Sequence, residues 1–149
     1  MSLRNFLQTF ALAILAATWL AGSPAGAADL TVMVTHLRSD DGDVHMAIYD
    51  TPEKFPDSDG MLKEVKVPVS GKTAQTTFRN LQPGAYAIAV YHDENGNHEF
   101  DQGLFGIPLE DYAFSSNAKA FFAPPSFNEA AFQLAQSRSI DIPMNSGPP

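Results

Sequence analysis

The stretch Ala85-Tyr86-Ala87-Ile88-Ala89-Val90-Tyr91 constrains the fold more than any other, because small and large residues alternate through it from Ala85 to Val90. Successive side chains of a strand point to opposite faces, so Tyr86, Ile88 and Val90 share one face. Ala85, Ala87, Ala89 and Tyr91 share the other. Large residues fill a core, and a face made mostly of alanine lets another layer approach closely. The spacing therefore predicts a central strand covered on both sides. It is entered by Leu81-Gln82-Pro83-Gly84, whose proline and glycine stand in the order a type II turn favours.

The same period recurs along the chain. Leu30, Val32 and Val34 alternate with Thr31, Met33 and Thr35; Val44, Met46 and Ile48 mark a second strand. Between them, Ser39-Asp40-Asp41-Gly42-Asp43 is a turn, and the pair reads as a hairpin. Thr51 to Phe55 reads as one helical turn, capped by Thr51 with Pro52 at the first position. Val65, Val67 and Val69 alternate around Pro68, which cannot donate to a ladder and so places this strand at a sheet edge. Further strands are expected over Thr73–Phe78, Ala131–Ala135 and Ser139–Met144, and Ser126-Phe127-Asn128-Glu129 matches a capping box. The sum is an all-β chain: a single β-sandwich of about seven short strands with isolated helical turns.

The N-terminus bounds the compartment. Arg4, an apolar run from Phe6 to Leu20, and Ala25-Gly26-Ala27 form the pattern of a cleaved secretory signal over 1–27. The sandwich domain is then expected over 28–144, in the periplasm or outside the cell, with no membrane span after cleavage and a disordered tail at 145–149. There is no cysteine, so thiol catalysis, disulfides and Cys-ligated zinc are excluded. Seventeen acidic against nine basic residues give a net charge of −8, which argues against nucleic acid and anionic membrane as partners.

The strand Ala85–Tyr91 runs into His92-Asp93-Glu94-Asn95-Gly96-Asn97-His98-Glu99-Phe100-Asp101. Asp93, Asn95, Asn97, Glu99 and Asp101 offer oxygens at alternate positions, and calcium takes roughly six to eight oxygen ligands. A curled loop would turn Asp93, Asn95, Asn97 and Asp101 inward, with Glu99 giving its backbone carbonyl and Glu110 able to close the site. An EF-hand-like loop has glycine sixth and a bidentate acid twelfth; His98 and Leu104 stand there instead. The competing reading is a β-turn on Asn95-Gly96, with Asx side chains bonding their own backbone. The four histidines, His36, His45, His92 and His98, show no recurring ligand spacing and read as scattered strand and surface residues.

No enzyme motif is present. Gly71-Lys72-Thr73 lacks the glycine five positions upstream that a phosphate loop needs, and no G-x-S-x-G occurs. Glu110, Asp111 and Ser115 are the nearest material for a hydrolase, with no neighbour in sequence to orient them. Phe105, Tyr112, Phe114, Phe121 and Phe122 lie in a long irregular excursion and are expected to pin it to the sandwich. The alternative is a ligand shelf over Phe105–Phe122 that binds a carbohydrate or a protein.

Four segments together resemble a bacterial family of exported proteins, the domain-of-unknown-function family 2141. They are Leu81 to Tyr86, Tyr91 to Asp101, Gly106 to Ser115, and Pro124 to Phe127 with Ala131-Phe132. The chain departs from it at His98 and Ala113, where glycine is usual. The resemblance implies a small exported β-sandwich of the immunoglobulin-like or transthyretin and carboxypeptidase-regulatory kind, and it implies no activity. The acidic loop also resembles the calcium loops of surface-adhesin B-type repeats at Asp93, Asn95, Asn97, Asp101 and Gly103.

Overall fold

The computed structural model describes residues 26–144, so the expected signal segment lies almost wholly, and the tail wholly, outside the described residues. In chain order the strands are β1 (Ala28–Thr35), β2 (Asp43–Tyr49), β3 (Lys63–Pro68), β4 (Ala74–Leu81), β5 (Gly84–Asp93), β6 (Tyr112–Phe114), β7 (Phe132–Leu134) and β8 (Arg138–Pro143). One short helix, α1 (Phe127–Ala130), precedes β7. Two sheets result. One has the order β4-β1-β8, with β8 parallel to β1; the other has β3-β2-β5-β6, with β7 also paired to β5.

The faces of β5 fall as its alternation dictates. Tyr86, Ile88 and Val90 turn inward with Val44, Met46 and Ile48 of β2, and meet Leu30, Val32, Val34 and Phe78 of the smaller sheet. On the outer face, Ala87 lies under Tyr49, Phe114, Phe127 and Ala130, with Phe55, Ala85 and Ala89 packed against them. Helix α1 fits there because alanine leaves room. Its start carries the expected capping box: the Ser126 backbone N–H and hydroxyl both donate to Glu129 Oε2, at 2.7 Å each. Strand β3 lies at the sheet edge, as Pro68 requires.

Four expectations need correction. Strands β1 and β2 are not a hairpin: β1 pairs with β4 and β8, whereas β2 pairs with β3 and β5. The turn between them crosses from one sheet to the other. Thr51–Phe55 is a plain turn, because Lys54 takes φ of 67°, which stops a helix. The excursion contains an unforeseen strand, β6, too short for its alternation to stand out. Its aromatics also divide: Phe114 is buried, whereas Phe105 and Phe122 are 99% and 114% exposed and pin nothing.

Ser115 joins the two layers over the outer face. Its hydroxyl accepts the Ile88 backbone N–H at 2.8 Å and donates to the Ala130 carbonyl at 2.6 Å. Replacing it with alanine leaves a buried N–H without a partner, which costs about 1–3 kcal/mol. Denaturant melts of Ser115→Ala should show that loss with an unchanged m-value; an unaltered midpoint would remove this role.

Candidate functional site

The outer face of the larger sheet carries more than alanine. Period two places His45 of β2 on the same face as Tyr91 and Asp93 of β5, and the register pairs His45 with Tyr91 and Asp43 with Asp93. The site forms where β5 runs out into the acidic loop.

Asp93 is its anchor. Its carboxylate is 0% exposed, and Oδ1 accepts the backbone N–H groups of Gly96 at 2.7 Å and Asn97 at 3.2 Å. Oδ2 accepts that of His98 at 2.8 Å. Burial alone would raise its pKa, but these three N–H groups and nearby His45 outweigh it and hold the carboxyl below its ordinary value. Asp93 therefore stays ionised. Gly96 and His98 both take positive φ, 71° and 65°. His98 thus adopts the left-handed turn of the glycine expected at that position, and the loop curls without it. Ala113 is accommodated as an ordinary residue of β6.

The other sequence-picked oxygens are arranged differently. Asn95 and Asn97 donate their side-chain amides to Asp101, at 2.6 Å to Oδ2 and 3.0 Å to Oδ1 respectively. Their amide oxygens accept the backbone N–H groups of Asn97 and Glu99. These are the Asx bonds of the turn reading. Glu99 is exposed. Glu110 does reach the loop, accepting the Asp101 N–H at 3.1 Å through Oε2, while its buried Oε1 has no partner. Leu104 is exposed and contributes no ligand.

Sequence reading missed the histidine contribution. His45 Nε2 and His98 Nδ1 each lie 3.5 Å from Asp93 Oδ2, and the three ligand atoms fall within 4.8 Å of one another. His45 is 2% exposed, and its Nε2 has no hydrogen-bond partner. Its other nitrogen, Nδ1, lies 3.1 Å from Glu64 Oε1 and 2.8 Å from the Tyr91 hydroxyl. A carboxylate can only accept, so Nδ1 is the donor in its contact with Glu64. The Tyr91 ring stacks on His45 at 4.4 Å between centroids, which fixes the imidazole plane. Burial, then the charges of Glu64 and Asp93, raise the Tyr91 pKa, so it remains a phenol.

The β1–β2 crossover braces the loop from behind. His92, fully buried, donates from Nε2 to the Asp41 carbonyl at 2.7 Å. Arg38 and Ser39 bond Glu94 at 2.8 and 2.7 Å. Ring contacts continue from Tyr91 through Phe100 and Tyr112 to Phe114, tying the far side of the loop to the outer aromatic layer. Glu110 and Asp111 are buried beside the loop, and Ser115 is engaged by main-chain groups elsewhere, so the three do not make an acyl-transfer set. His36 is exposed and apart from the cluster.

Burial raises the Glu110 pKa, and the charges of Asp101 and Asp93 add to this against the Asp101 N–H. A carboxyl with a raised folded pKa supports the fold most below its unfolded value and loses that contribution as pH rises through the folded one. Glu110→Gln should accordingly gain stability relative to wild type between pH 4 and pH 7. Parallel stability curves for the two proteins over that range would contradict the assignment.

Fold and site define a class: a small two-sheet β protein bearing a buried carboxylate flanked by imidazoles at the end of its central strand. No curated protein and no solved structure matches the chain. The family described as "Uncharacterized protein conserved in bacteria (DUF2141)" matches residues 32–141, and the chain belongs to it.

Proposed function

We propose that the chain is an exported, non-enzymatic β-sandwich that binds a divalent cation where β5 enters the loop Asp93–Asp101. The observation that carries this reading is the buried, ionised Asp93 carboxylate facing the unpartnered Nε2 of His45. A divalent cation between them would add its charge to the three N–H bonds that already hold Asp93 ionised, and would give His45 Nε2 a partner. Calcium held by Asp93, Asn95, Asn97, Glu99 and Asp101 is one form of the reading, and it requires Asn95 and Asn97 to exchange their present bonds for the ion. Export is supported by the leader pattern, and because β1 begins at Ala28, cleavage just before it spares the sandwich. The test is the melting temperature in calcium, magnesium and zinc against chelator. A ligand of the native state must raise it with concentration, and no shift with any of them at millimolar levels contradicts the proposal.

A second reading rests on Leu104, Phe105, Phe121 and Phe122, all exposed. It makes the excursion a surface for a protein or glycan, with these side chains as its apolar contacts. Phe105→Ser should then leave stability within about 0.5 kcal/mol of wild type while abolishing binding to that ligand.

A further inference from the structure

The geometry points to a transition-metal centre with three protein ligands: His45 Nε2, Asp93 Oδ2 and His98 Nδ1. This rests on the cation-binding reading above and names its donors. Two imidazoles and one carboxylate suit zinc, copper(II), nickel or iron(II), whereas calcium and magnesium take oxygen alone. The spacing agrees. Ligand atoms bound at about 2.0–2.1 Å in a tetrahedron lie roughly 3.3 Å apart, and both imidazole nitrogens are 3.5 Å from Asp93 Oδ2.

The surroundings have the character of a built metal site. Metal-binding histidines commonly give their other N–H to a carboxylate, which orients the ring and raises its basicity. Glu64 holds that position on His45, and Tyr91 stacks on the same ring. Asp93 is oriented in turn by three backbone N–H groups, which leave Oδ2 a free lone pair toward the histidines. His45 comes from β2 and the other two ligands from the end of β5 and its loop, so the ion would clasp the loop to the sheet. His98 is exposed, so the centre opens to solvent on that side, and three protein ligands leave a coordination position there for water or an outside ligand.

Isothermal titration of the full chain with zinc, cobalt(II) and calcium, repeated on His98→Asn and Glu64→Gln, tests the assignment. Asparagine tolerates positive φ, so His98→Asn removes the imidazole without opposing the loop; its unliganded melt, matched to wild type, certifies the fold, which the buried His45 does not allow of His45→Ala. One zinc per chain is expected, with visible cobalt bands of low-coordinate geometry. Affinity should fall about 10–100-fold in Glu64→Gln and by at least as much in His98→Asn. Calcium binding without zinc binding, or zinc affinity unchanged in His98→Asn, overturns the inference and leaves the cation-binding reading standing. Binding of no divalent metal overturns both.

Discussion

Phe78→Ala should remove about 3–5 kcal/mol of folding stability. Phe78 is 0% exposed on β4, paired with Leu30 of β1, and its ring lies among the residues that both sheets turn inward. The substitution removes the transfer free energy of a whole ring and leaves a hole that strand backbones cannot close. With no disulfide available, the core carries the fold, and total stabilities of such domains are about 5–15 kcal/mol. The variant should melt roughly 10–20 °C below wild type, and Phe78→Leu should recover most of the loss. A cost below about 1 kcal/mol would show that the sheets do not depend on this contact.

The second large effect is expected at Gly42, where fold and site meet. Gly42 takes φ of 67°, and a Cβ there would overlap the backbone carbonyl oxygen of Asp93. Alanine has to adopt a left-handed conformation and also push the β1–β2 crossover off the base of the loop. Together these should cost on the order of 3 kcal/mol. The displacement acts on the residue that anchors the site, so Gly42→Ala should also weaken divalent-cation binding. Alanine at Gly71, which has positive φ but open space around it, should cost only the conformational part, about 1 kcal/mol. Equal losses at the two glycines would refute the close-approach account.

The parts of the molecule legible in the sequence are those set by local periodicity. The alternation Ala85–Tyr91 gave both faces of β5, Pro68 gave an edge, and Ser126 with Glu129 gave a helix start. The crossover was not legible, since the same turn chemistry serves a hairpin and a change of sheet. The acidic loop drew attention through its composition, and the structure places its Asx bonds where a turn has them. The histidine contribution was hidden for a different reason. His45 and Asp93 meet through the β2–β5 register, a long-range pairing that neither strand announces. One signal was present: His45 falls on the face opposite Val44, Met46 and Ile48, where a buried imidazole needs a partner. His98 shows its role only once the loop has curled through positive φ.

The most direct measurement of the central claim is anomalous diffraction from crystals of the protein grown with zinc and calcium together, collected on both sides of the zinc edge. The account predicts one zinc peak about 2.0–2.2 Å from His45 Nε2, Asp93 Oδ2 and His98 Nδ1, with a non-protein ligand on the solvent side. A map with no ion between Asp93 and His45, in crystals whose loop is free of lattice contacts, would contradict it.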